Sequence, residues 1–218
     1  MINYLFTSPL LFILYAVALL VAITIHEFSH AWMADYLGDP TPRLAGRLKL
    51  NPFVHLDMMG TLFLFFVGFG WGKPVPFDPY NLKNPRKDAA LISVAGPMSN
   101  LILALLLSLI LKLFIFFKLI FLVNIASLIF IPILYLNIIL GIFNLLPINP
   151  LDGFKIVGGI LPEEKAKQWS ELERYGIIFL LFLIIPLGQS SMLDMIIRPI
   201  ISWILHFLIP ATIGGNLI

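Results

Sequence analysis

The chain has 218 residues, of which 60% are hydrophobic and 12% charged, and its mean hydropathy is +0.98. A soluble domain carries about 25% charged residues, so this is the composition of an integral membrane protein, with room for several spans but no sizeable soluble domain beside them. A net charge of +2 gives no electrostatic case for nucleic acid, and the absence of cysteine excludes disulfides, thiol nucleophiles and thiolate metal ligands.

Residues 8–33 form the first stretch long enough to cross a hydrocarbon core, which takes about 20 apolar residues. The residues before it hold no Lys or Arg, so a secretory signal with a charged start is not expected there. Within the stretch stands His26-Glu27-Phe28-Ser29-His30, an HExxH motif. On a helix, His26 and His30 share one face, where two imidazoles can grip one Zn²⁺, and Glu27 is placed as a general base on a water there. Ionisable groups at membrane depth are costly and mark function, so a hydrolytic metal site within the bilayer is predicted.

Pro40, Pro42 and Gly46 then break the pattern, and residues 43–50 alternate polar with apolar, which predicts a short strand. Residues 58–71 are apolar but too short for a span and hold three glycines, which predicts a re-entrant segment. A loop rich in Pro and charge follows. A second span is expected over 89–111, with Lys112 and Lys118 at its far end, and a third over 124–146, ending in Leu146-Pro147-Ile148-Asn149-Pro150-Leu151-Asp152-Gly153. After a charged loop at 155–174, the apolar region 175–210 is interrupted by Pro186, Gly188, Asp194 and Arg198, and fits either one broken helix or a hairpin. The fold predicted is an all-α polytopic membrane protein, one domain over 1–218, with four to six transmembrane helices. A short membrane-associated β or re-entrant segment lies between the first two full spans.

Placing 34–88 and 153–174 in the cytoplasm puts 11 of the 14 basic residues inside, leaving Lys112, Lys118 and Arg198 elsewhere. The positive-inside rule then sets the N-terminus outside and the HExxH end of the first span towards the cytoplasm.

Catalytic zinc takes three protein ligands and a water. The candidates for the third are His55, His206 and the seven Asp. Asp152 stands out because it lies in a Pro- and Gly-rich break at the end of a span, level with HExxH. Asp-Gly is also a common turn pair, so in isolation Asp152 reads equally well as a turn residue.

Taken together, HEFSH and the run from Asn144 to Gly153 resemble the site-2 protease family of intramembrane metalloproteases. The likeness extends through Asn51-Pro52-Phe53-Val54-His55-Leu56-Asp57, Gly72-Lys73-Pro74-Val75-Pro76 and Gly96-Pro97-Met98-Ser99-Asn100, which are similar to motifs of the compact subgroup without PDZ or CBS domains. The resemblance implies Zn²⁺ held by His26, His30 and Asp152, Glu27 as general base, and Asn144 as the amide that polarises the scissile carbonyl. It implies a membrane-protein substrate cut within or beside a transmembrane helix, in the lipid bilayer of a prokaryotic plasma membrane.

Other readings stay open at this point. Asn144 also fits a helix-end hydrogen bond, and His55 fits a pairing with Asp57 better than support of the metal. Gly96-Pro97 suits close helix approach, Asn100 a substrate contact, and His206 a structural role. The segment 43–50 is a candidate to hold an unwound substrate by strand addition. A metal-binding transporter or sensor without hydrolysis is the rival from another class, although the second span is nearly bare of polar residues. A zinc protease drawing its third ligand from Glu163, Glu164, Glu171 or Glu173 is the rival among enzymes.

Overall fold

In the computed structural model, residues 6–67, 70–186 and 190–210 are described, and all of the regular structure among them is helical. Helix α1 (Pro9–Tyr36) begins with proline in its first turn, where the missing N–H costs nothing, and then runs on apolar residues with no breaker. Thr24 and Ser29 turn their hydroxyls back onto the carbonyls of Leu20 and Ile25, which satisfies both within the helix. Two further helices are long and apolar enough to cross a membrane, as α1 is. They lie beyond the short helix α2 (Met58–Val67), and are α3 (Pro85–Phe116) and α4 (Ile120–Asn144). The last four helices are α5 (Asp152–Ile160), α6 (Glu163–Glu171), α7 (Gly176–Ile184) and α8 (Met192–Leu208).

Hydrogen bonds and close contacts set the register of the three long helices. Ile92 of α3 meets His30 of α1, and Asn100 meets Ala22, so α3 runs antiparallel to α1. Asn137 of α4 meets Asn100, and Gly141 packs on Pro97, so α4 runs antiparallel to α3 and parallel to α1. Where these helices touch, the buried residues include the small Ala18, Ala22 and Ala104, which let backbones approach in lipid. Large apolar residues such as Leu10, Leu106, Leu109 and Phe121 face outward instead.

Helix α8 packs Ile197 and Ile201 against Ala104, Leu134 and Ile138. Its first turn lies near Leu151, while at its other end the Leu208 carbonyl accepts from Ser108 and the Phe207 carbonyl from Lys112. The region 175–210 is therefore two helices, with Pro186 and Ser191 paired antiparallel between them; residues 187–189 fall outside the described residues.

The strand expected at 43–50 is not formed. Pro42 starts a single helical turn at Thr41–Leu44, Gly46 ends it with φ +69°, and Arg47 turns inward. The Arg47 guanidinium donates to the carbonyls of Val54, Lys73 and Pro74, so the alternation reflects one inward cation rather than a pleat. The 58–71 segment contains the ten-residue α2, and its flanks return to one another through antiparallel pairing of Leu56 with Gly72; residues 68 and 69 lie outside the described residues. Asp39 is fully buried just past α1 and accepts from the Thr41 hydroxyl and N–H, the Asp78 N–H and the Asn81 amide, which ties the end of α1 to the turn before α3.

Candidate metal centre

His26 and His30 lie about 15 and 9 Å from the C-terminal end of α1, at 1.5 Å per residue, and so well inside the span. Their Nε2 atoms are 3.0 Å apart, and Asp152 Oδ2 lies 3.1 Å from one and 3.2 Å from the other. Among the described residues, these three are the one group of His, Cys, Asp or Glu whose ligand atoms converge, all within 4.8 Å.

The protons on the two rings follow from their outer partners. His30 Nδ1–H donates to the Ile92 carbonyl, 2.7 Å away, because a carbonyl can only accept. Asn100 uses its NH₂ group on the Ala22 carbonyl and on Asn137 Oδ1, so its own Oδ1 faces His26 and accepts from Nδ1–H at 2.7 Å. A neutral ring with its proton on Nδ1 carries a lone pair on Nε2, and here the two Nε2 atoms converge on each other and on a carboxylate oxygen. Asp152 Oδ2 is buried and has no hydrogen-bond partner among the described residues. With both rings neutral, three acceptors meet here, an arrangement that a cation between them satisfies. Tetrahedral bonds of about 2.0 Å give ligand–ligand edges of about 3.3 Å, close to the spacings present, so the donor set fits Zn²⁺.

Local backbone makes this convergence possible. A Cβ on Gly96 would stand 2.4 Å from His30 Nε2 and 2.8 Å from the His26 ring, so glycine lets α3 cover the site. Helix α4 stops at Asn144, the chain turns through Pro147 and Pro150, and Asp152 opens α5. A Cβ on Gly153 would stand 2.3 Å from the carbonyls of Leu145 and Leu146. Glycine after Asp152 thus serves close packing against the end of α4, and the carboxylate is held towards the histidines rather than in a surface turn.

Glu27 is half-buried one position after His26, and a Cβ on Gly72 would lie 3.1 Å from its Oε1, so the Leu56–Gly72 pairing adjoins the carboxylate. Asn144 is half-buried and donates to the Leu140 carbonyl in its own helix. His55 is fully buried and donates from Nε2 to the Lys49 carbonyl; Asp57 instead accepts from the Gly60 N–H, so the expected His55–Asp57 pair is not made. His206 is exposed on the last turn of α8. Glu163, Glu164 and Glu171 are exposed on α6 and Glu173 just beyond it, outside the converging group.

Asn100 is fully buried with its amide committed on every side, so it supports His26 and is not a substrate contact. Sequence reasoning missed the roles of Asn100, Asn137 and the Ile92 carbonyl. The available signal for the two asparagines was an amide in the middle of an apolar span, which needs a partner.

Three apolar spans with a buried two-histidine, one-aspartate cluster between them define an integral membrane protein with a candidate metal centre. Its sequence matches peptidase family M50 over residues 14–126 and 119–186, ranges that hold every residue of the cluster. The chain belongs to that family, the site-2 proteases, and is similar to its compact members. It is 39% identical over 184 residues to the Bacillus subtilis protein named "Putative zinc metalloprotease YwhC", covering 83% of this chain and 84% of that one. It is 31% identical over 178 residues to "Putative zinc metalloprotease Rip2" of Mycobacterium tuberculosis, covering 79% of this chain and 66% of that one. With Rip2 of Mycolicibacterium smegmatis the identity is 30% over 186 residues, covering 80% and 67%. No solved structure is a significant match.

Proposed function

We propose that this protein is a zinc metalloprotease that hydrolyses a peptide bond within or next to a transmembrane helix of a membrane-protein substrate. The observation that carries the reading is the convergence of two Nε2 atoms, each on a ring whose Nδ1 is committed elsewhere, with an unpartnered carboxylate oxygen at an apolar span. Family membership and the names of the relatives support the same activity and the same metal. His26, His30 and Asp152 are the protein ligands, which leaves a fourth position for water or substrate.

When bound, the zinc polarises the scissile carbonyl and acidifies a water. Glu27 accepts the proton of the attacking water and delivers it to the leaving amine. Asn144 spends one amide N–H on Leu140 and keeps the other to donate to the carbonyl oxygen as it gains charge. The substrate helix must unwind first, since its carbonyls are otherwise held in internal hydrogen bonds. The Leu56–Gly72 pairing beside Glu27 takes over the substrate-holding part expected of 43–50.

The chain forms a single membrane domain, with α8 as a fourth crossing: its 17 residues run about 25 Å from the Leu151 side to Ser108 and Lys112. The α2 segment enters and leaves on one side. The charge distribution supports a metal centre facing the cytoplasm, in a bacterial plasma membrane.

The test is cleavage of a membrane-spanning peptide in vesicles carrying the purified chain, followed by mass spectrometry. Product should form with zinc, disappear with a chelator and return on zinc addition. Full zinc occupancy without cleavage of any such peptide would leave a metal-binding membrane protein with no hydrolytic function.

A further inference from the structure

Asn137 lies in the middle of the third span, away from every motif that carries the resemblance, and it is fully buried. A buried amide in an apolar helix is costly unless each of its polar atoms is used. Its Nδ2 donates to the Ile133 carbonyl one turn back at 2.8 Å, which turns its Oδ1 away from its own helix. That oxygen accepts from Asn100 Nδ2 at 2.7 Å. Asn100, also fully buried, gives its other amide hydrogen to Ala22 and presents its Oδ1 to His26 Nδ1.

The network therefore has one direction. Hydrogens run from His26 to Asn100, from Asn100 to Asn137, and from Asn137 to a helix carbonyl that can only accept. Each amide has a single orientation that satisfies its neighbours, and reversing either one would set donor against donor. The outcome at the far end is a His26 ring protonated on Nδ1 with a lone pair on Nε2, the form that a metal requires.

We infer that Asn137 is a positioning residue for the metal centre, fixing the Asn100 amide and through it the tautomer and orientation of His26. It touches neither metal nor substrate and acts through two intervening hydrogen bonds. With an apolar residue at 137, the Asn100 NH₂ loses an acceptor in a dry site. The Ala22 carbonyl alone then holds the amide, whose orientation is less firmly fixed, and an Asn100 that turns its N–H to His26 moves the ring proton onto the atom that should bind metal. An isosteric aspartic acid at 137, kept neutral by its apolar surroundings, still donates to Ile133 and accepts from Asn100.

This inference rests on the zinc-site reading, and the experiment separates the two. Zinc affinity of the full chain in detergent is measured by competition with a chelator for the wild type and for Asn137→Leu, Asn137→Asp, Leu134→Ala and Asp152→Ala. Loss of an outer-shell partner costs about 10–100-fold in metal affinity. Asn137→Leu should therefore weaken zinc by about tenfold, and Asn137→Asp should recover most of that loss. Leu134, equally buried on the same helix but outside the network, provides the structural control: Leu134→Ala should lower the thermal midpoint and leave zinc affinity unchanged. Wild-type affinity in a folded Asn137→Leu, or an equal loss in Leu134→Ala, would overturn the positioning role while the zinc site stands. Unchanged affinity in Asp152→Ala would overturn the zinc site itself, and the inference with it.

Discussion

Asp152 Oδ2 lies 3.1 Å from His26 Nε2, although the first residue opens a helix after the third span and the second lies deep in the first. Their contact is what turns two histidines into a three-donor site. Asp152→Ala should drop the zinc content of the purified protein from one per chain to well below one, because a charged ligand is lost. Elemental analysis of the folded variant reads this directly, and an unchanged metal content would remove Asp152 from the ligand set.

Glu27→Gln keeps the shape of the side chain and removes its ability to accept a proton. Zinc content should stay near that of the wild type while turnover of a cleavable membrane peptide falls by about 10²–10⁴, the usual span for general acid–base catalysis. Parallel zinc and cleavage assays check it; a variant that cleaves normally excludes Glu27 as the base.

Asn144→Ala should also leave the metal in place. Turnover should fall by about 10²–10³, the cost of losing one donor to a developing oxyanion. Loss of a helix-end bond to Leu140 alone would instead lower the thermal midpoint and spare the rate, and the two assays together tell these outcomes apart.

The fully buried Asp39 gives a pH prediction. Burial pushes its carboxyl up, but the bonds from Thr41, Asn81 and the Asp78 N–H outweigh this and hold it below the ordinary 3.8. A depressed folded value means that the unfolded chain binds the proton first. The stabilisation is thus complete above about pH 3.8 and is lost as pH falls through the lower folded value. Thermal midpoints measured from neutral to acid pH should fall more steeply in the wild type than in Asp39→Asn, which lacks the titrating group. Parallel curves would deny Asp39 this role.

Single cysteines at Asn3 and Lys83, in a chain with none of its own, should react with impermeant reagent from opposite faces of the membrane. Reaction from one face would overturn either the placement of the N-terminus outside or the re-entrant reading of 58–71.

Much of the site could be read from the chain because its rules are local. A spacing of four residues puts His26 and His30 on one helix face whatever surrounds them, and Pro147 and Pro150 break the path between Asn144 and Asp152 in any fold. The three long helices were legible for the same reason, since length and apolarity decide them. What escaped depends on contacts between distant segments. Arg47 owes its inward turn to carbonyls at 54, 73 and 74, which no window around 43–50 contains, so the alternation there read as a strand. The residues next to Asn100 in sequence hold no partner for its amide, which leaves a substrate contact open there; the partners are Ala22, His26 and Asn137, on two other helices. Adjacency in sequence points His55 to Asp57, while its partner in the fold is the Lys49 carbonyl.

The break between α4 and α5 also has a mechanical consequence. Because the donors come from positions 26, 30 and 152, a cation held among them is a clasp that closes the intervening chain into one long loop. Closing so long a loop limits the unfolded chain far more than the folded one, and metal affinity is then in part folding free energy. An ion held there would fasten the first crossing to the chain beyond the third, so starving the protein of metal would loosen the bundle as well as silence it.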